Sequence, residues 1–235
     1  MRTANLALFV LTLVVISHTK SFAAEWKKLS KNSFHLRHET KEALILDAIK
    51  FVKQNFVAEI IDLRDYAKKG SNSPNSPYTL KAIYERKPKS MAVLNGGFSS
   101  HMEFPIPIGM LLVNSKQKSE PNLKAKFFDQ IFCINDKKLS IIPATIEPKC
   151  KFAVQAGPLL VNNGTVQEME DKYKKQKSER SVLCINASDD LLLIHSIKMR
   201  YAQLQEILVE PEFNCEKAMA LSGGIQSGLI GGLLD

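Results

Sequence analysis

From Met91 onward the chain is a succession of short apolar runs, each stopped by residues that turn a backbone, and this spacing favours β-hairpins over long helices. Ile131–Ile134 and Leu139–Ile142 flank the polar residues Asn135–Lys138, a length that suits a hairpin loop. Phe152–Val161 forms a third strand region. Asn162-Asn163-Gly164 then turns it into Thr165 and Val166, because an asparagine–glycine pair accepts the positive φ that tight hairpins require. Ser181–Ile185 and Leu191–Ile194 make a further hairpin through Ser188 and Asp189, and Ile108–Val113 is an apolar strand closed by Asn114. One amphipathic helix interrupts the series. Tyr201, Leu204, Ile207 and Leu208 fall on one face and Pro211 ends it. Lys217–Leu221 follows as a strand.

Upstream the signals are sparser. Residues 25–40 read as irregular chain or an edge strand, Phe56–Leu63 as a strand, Gly70–Pro77 as a loop and Tyr78–Arg86 as a short helix. Strand–helix–strand order near the end, after several hairpins, predicts an α+β fold: a mixed β-sheet with several hairpins and flanking helices. No linker separates two cores. Residues 24–90 are thus expected to form the N-terminal part of a single domain whose motifs lie in 91–235. The apolar, glycine-rich tail Leu229–Asp235 leaves little room for a further supporting strand.

The first 23 residues have a different character. Arg2 supplies a positive start, Leu6–Ile16 is an apolar run broken only by Thr12, and Ser21-Phe22-Ala23 offers small residues before Ala24. That layout predicts a cleavable signal peptide, because the run is too short to span a bilayer. The mature chain is therefore expected to be exported, to the periplasm or outside the cell, with no stable membrane insertion after cleavage. A bacterial envelope suits the leader best.

Removing Arg2 and Lys20 lowers the formal charge from +8 to +6. A basic balance favours phosphates, anionic glycans or a membrane surface as partners. The lysines are scattered apart from Lys172–Lys177, with no interleaved aromatics, which argues against nucleic acid. Four cysteines remain: Cys133, Cys150, Cys184 and Cys215. In an oxidising compartment they allow up to two bridges. Cys133 and Cys184 sit inside apolar strands, where a buried free thiol is the simpler expectation. No Cys-x-x-Cys or Cys/His cluster is present, so neither a metal nor a cofactor is expected.

Three apolar strands end in glycine-bearing turns: Asn95-Gly96-Gly97-Phe98, Gln155-Ala156-Gly157-Pro158 and Ser222-Gly223-Gly224. Such turns let a backbone approach a ligand closely, and their exposed amides form a concave cradle for an anion. Their order, with PIGMLL (107–112), QAGPLLV (155–161), Arg180 before an apolar strand and ALSGGIQS (220–227), resembles the phosphodiester glycosidase domain. That family includes the enzyme that uncovers mannose 6-phosphate tags by removing N-acetylglucosamine, together with many exported bacterial proteins. The likeness runs from about Met91 to Leu229.

What the resemblance implies is a hydrolase of sugar-1-phosphodiesters, acting on a phosphorylated sugar or a cell-envelope glycan. Asn95, Gly96 and Gly97 would line the pocket floor, with Gln155 and Gly157 as the facing wall. Arg180 would meet the phosphate through its planar fork, and Gly223, Gly224 and Ser227 would close the site. Each has a plainer reading as a turn residue, a sheet-face amide or a solvated cation. One departure matters. Where the family usually has Leu-Asp-Gly-Gly, this chain has Leu221-Ser222-Gly223-Gly224 and lacks the carboxylate. Glycosidic cleavage generally uses a carboxyl pair, and a serine needs an activating base of its own. His101 and Glu103, after the first glycine turn, are candidate substitutes for the missing group, histidine being able to shuttle protons near neutrality. The rival reading is a catalytically silent sugar-phosphate or glycan-binding protein, a pseudoenzyme of the same fold. A third is a domain whose glycine turns serve only the fold.

Overall fold

The computed structural model describes residues 25–40, 42–53, 56–66, 79–87, 89–100, 106–136, 138–145, 148–224 and 227–231. The expected leader, the 70–77 loop, His101 and Glu103 lie outside them. In chain order the strands are β1 (Lys27–Ser30), β2 (Ser33–Glu39), β3 (Ile45–Phe51), β4 (Ala92–Leu94), β5 (Leu111–Val113), β6 (Lys116–Ser119), β7 (Gln130–Asn135) and β8 (Lys138–Pro143). There follow β9 (Phe152–Ala156), β10 (Leu159–Asn162), β11 (Thr165–Val166), β12 (Lys177–Asn186), β13 (Leu191–Arg200), β14 (Cys215–Ala220) and β15 (Leu229–Gly231). The helices are α1 (Leu80–Arg86), α2 (Asp171–Lys174) and α3 (Tyr201–Leu208).

An eight-stranded sheet runs β1-β2-β3-β13-β12-β14-β10-β11, a five-stranded sheet runs β6-β5-β9-β7-β8, and β15 pairs with β4. Every pairing is antiparallel. This overturns the expected α+β fold of a mixed sheet with flanking helices: the chain is mostly β, with few and short helices. The strand–helix–strand order misled because β12 lies between β13 and β14, bonded antiparallel to both. The hairpins β7–β8, β10–β11 and β12–β13 form where the turn residues indicated.

The two large sheets face each other across a core of Ile49, Phe51, Phe132, Ile134, Val154, Leu183, Leu191, Met219 and Leu221. On the outer face of the eight-stranded sheet, Leu36, Leu46, Val182, Leu192 and Ile194 pack against Tyr201, Leu204 and Leu208 of α3. Each such aliphatic side chain contributes about 1.5–3 kcal/mol when fully buried. The alternation along β12 decides which core each residue joins: Val182 and Cys184 face α3, Leu183 faces the second sheet.

Three local expectations are corrected. Cys133 bonds Cys150 and Cys184 bonds Cys215, so neither strand cysteine is a free thiol. Burial is compatible with thiol and disulfide alike, and here sheet pairing decides: β12 and β14 are neighbours, which brings Cys184 beside Cys215. Phe56–Leu63 forms no strand. Phe56, Ala58 and Ile60 pack on the inter-sheet core without a strand partner. Asp62 then anchors the segment to Arg64, with Nε–Oδ1 at 2.9 Å and Nη2–Oδ2 at 2.8 Å, while Nη2 also donates to the Lys118 carbonyl. Burial pushes the Asp62 carboxyl up, but the hydrogen bonds and charge of Arg64 outweigh it and hold the group below its usual range. Last, the tail does supply a supporting strand, since β15 pairs β4 from Leu229↔Leu94 to Gly231↔Ala92.

Candidate functional site

The three glycine turns converge at one end of the sandwich. The Ser222 amide donates to the Gly96 carbonyl at 3.1 Å, which joins the first turn to the last. The Ala220 amide donates to the Pro158 carbonyl at 3.0 Å, which joins the second to the last. A Cβ on Gly97 would stand 2.8 Å from Val154 Cγ2 and 2.9 Å from the Gln155 carbonyl, so only glycine lets the first turn lie against β9. The second turn is also where the chain changes sheets, leaving β9 at Ala156 and joining β10 at Leu159 through a cis Gly157-Pro158 bond.

Asn95 is the polar centre of this convergence. Its Nδ2 donates to the Ser222 carbonyl at 2.7 Å, while its Oδ1 accepts from Ser181 Oγ and from the Gly228 amide. Gln155 is more completely committed. Its Oε1 accepts from the Met110 and Asn122 amides, and its Nε2 donates to the Asn122 and Phe128 carbonyls, all at 2.7–2.9 Å. Two donors and two acceptors are then used, and no hydrogen-bonding capacity remains for a ligand.

Between the sheets opens a cleft of about 1430 Å³ with an apolar floor of Phe51, Phe132, Val154 and Leu183. Asn95, Gly96, Gly97, Gln155, Ser222 and Ser227 line it; Gly157, Arg180, Gly223 and Gly224 do not. Gly157 lies instead against the Phe127 carbonyl and Asp129. Burial raises the Asp129 carboxyl, partly offset by the hydrogen bonds it receives from Gln130 and the backbone.

Arg180 stands just behind the last turn, with its Nη1 3.4 Å from where a Cβ on Gly223 would be. It is only 7 % exposed. Its guanidinium lies 3.9 Å over the Tyr201 ring and Nη2 donates to the Gln176 carbonyl at 3.0 Å. Nε is buried without a partner, and among the described residues no carboxylate lies within ion-pair distance. Burial pushes its pKa down, and the Tyr201 hydroxyl opposes that shift. A buried cation without a counter-ion costs several kcal/mol, which an arriving anion would offset.

Several participants are absent from the sequence reading. Ser181 and Glu179 flank Arg180, and strand alternation gives neighbouring positions opposite faces. Tyr201 read as one more apolar helix position, although a ring next to a buried arginine is a natural cation–π partner. Gly228 enters only through its backbone, its amide donating to Asn95 Oδ1 and its carbonyl accepting from the Asn95 amide.

Residues 89–234 match the family model described as phosphodiester glycosidase. The chain belongs to that family. The phosphodiester glycosidase architecture also agrees with a solved relative, the catalytic domain of zebrafish N-acetylglucosamine-1-phosphodiester alpha-N-acetylglucosaminidase, auto-inhibited by its pro-peptide. The TM-score is 0.56 at 15% identity, covering 91% of this chain and 75% of that one. A second structure, from Burkholderia pseudomallei K96243 and assigned as an exported protein, matches with a TM-score of 0.47 at 10% identity, over 80% of this chain and 69% of that one. No curated protein sequence matches.

Proposed function

We propose that this phosphodiester glycosidase family member is an exported hydrolase that cleaves the glycosidic bond of a sugar-1-phosphodiester, in the periplasm or outside the cell. The observation that carries the reading is Arg180, a buried guanidinium with an orphaned Nε and no carboxylate partner among the described residues, set against the last glycine turn. A phosphodiester bears one negative charge on two oxygens that match the arginine fork, and it would relieve the uncompensated cation. Asn95, Gly96, Gly97, Ser222 and Ser227 on the cleft wall would hold the sugar. Gly223 and Gly224, beside Arg180, would keep the backbone close to the phosphate, with Gln155 fixing the wall behind. The substrate is a phosphorylated sugar or a cell-envelope glycan.

Chemically the leaving group favours this chain. Breaking the bond from C1 to the phosphate oxygen releases a phosphomonoester, already a stable anion, so the need for a general acid is small. The need for a group to activate water or bear on C1 is not removed. Ser222 is neutral and 3% exposed, which gives a specific basis for the second reading, a sugar-phosphate-binding pseudoenzyme. His101 and Glu103 are candidates for that group.

The purified mature protein with an alkyl sugar-1-phosphodiester decides between the two. Release of free sugar and phosphomonoester supports the hydrolase. Saturable binding of the sugar phosphate without turnover, with hydrolysis created by Ser222→Asp, supports the binding protein. Neither binding nor turnover sinks both.

A further inference from the structure

We propose that Glu179 is the carboxylate that activates water in this chain, doing what an aspartate at position 222 would otherwise do. The inference rests on the hydrolase reading above and names the group that reading lacks.

Glu179 occupies the right place. Its carboxylate lies 3.3 Å from Ser227 Oγ, which shares its one proton between Glu179 and the Gly224 carbonyl at 2.7 Å, and Ser227 lines the cleft beside Ser222 and Asn95 although Glu179 itself does not. Its carbonyl oxygen is 2.9 Å from where a Cβ on Gly223 would stand, so the residue is in contact with the turn that position 222 opens. Half-buried on β12, it has no lysine or arginine within ion-pair distance among the described residues. The neighbouring carboxylates are engaged elsewhere: Asp47 with His35 at 3.2 Å and Arg37 at 3.9 Å, Asp129 with the Leu159 amide at 3.3 Å. Arg180 is the next residue, and the register of β12 against β13 shifts between Ser178 and Arg180, so both groups sit at one irregularity of the strand beside the last glycine turn.

The step balances without a further reagent. A water oxygen bonds to C1 of the sugar while the bond from C1 to the phosphate oxygen breaks. That electron pair leaves on the phosphomonoester. The water proton passes to the Glu179 carboxylate and then to solvent, which restores the site.

Glu179→Gln keeps the shape and the Ser227 contact but removes the basicity. Expected is a loss of turnover of about 10²–10⁴-fold, the range for a positioned base, with sugar-phosphate affinity and melting temperature close to wild type. In Glu179→Ala, added formate restores part of the rate, which a structural role would not permit. Ser222→Asp in the Glu179→Gln background also restores turnover. Wild-type turnover that survives Glu179→Gln overturns the proposal and leaves the hydrolase reading standing. A wild-type chain that binds sugar phosphate but never turns over removes both.

Discussion

Arg180 has two effects of opposite sign. In the free protein its charge is buried and uncompensated, while in a complex the same charge would bind an anion. Arg180→Met should therefore raise the unfolding free energy of the ligand-free protein by about 1–3 kcal/mol, because it removes an ion and keeps a stem over Tyr201. The same variant should lose sugar-phosphate affinity by roughly 10- to 100-fold, the worth of charge-assisted hydrogen bonds. Denaturant unfolding and calorimetric titration check the two halves, and a variant that is both less stable and still binding would contradict the assignment. His195 gives a second prediction at this scale. Burial pushes its pKa down, opposed by the charges of Glu179 and Asp47 and by the Arg180 backbone. The folded protein then binds fewer protons than the unfolded chain, so the contribution is complete above the ordinary histidine value of about 6.5 and is lost as pH falls below it. Melting temperatures at pH 7.5 and 5.5 should differ more for wild type than for His195→Gln.

At the scale of elements, the disulfides and the glycine contacts set the site. The Cys184–Cys215 bridge ties β12, which carries Glu179 and Arg180, to β14, which leads into the last turn. Its cysteines are 31 residues apart and those of Cys133–Cys150 are 17 apart. Loop-closure entropy then gives about 4 and about 3 kcal/mol respectively. Replacing Cys184 and Cys215 together by alanine should shift the denaturant midpoint more than replacing the other pair. Gly97→Ala should destabilise by about 1–3 kcal/mol, since its methyl would meet Val154 and the Gln155 carbonyl. Elements that local chemistry specifies were legible: Asn163-Gly164 turns the β10–β11 hairpin, and the short helix expected over Tyr78–Arg86 forms as α1, its start moved to Leu80 by the Thr79 cap that accepts from the Ala82 amide. What depended on distant partners was not. Phe56–Leu63 has strand-forming residues but no strand to pair with, and nothing near Gly157 says that the chain changes sheets there. Cysteine pairing likewise waited on the order of strands.

For the molecule as a whole, the motif order carried the family and left the architecture open, because hairpins stack equally well into one mixed sheet or two facing ones. Convergence of the glycine turns follows from the facing arrangement, which brings β4, β9 and the end of β14 to one rim. Arg180 could be singled out from sequence only through its place in the motif order; its burial and its lack of a partner belong to the packing. The measurement that bears most directly on the reading is hydrolysis of a sugar-1-phosphodiester in oxygen-18 water, followed by phosphorus-31 spectra of the product. Cleavage between C1 and oxygen should give a phosphomonoester without the label at a rate that Arg180→Gln reduces at least tenfold. Label in the phosphomonoester, no product from either wild type or Ser222→Asp, or a rate indifferent to Arg180, would contradict it.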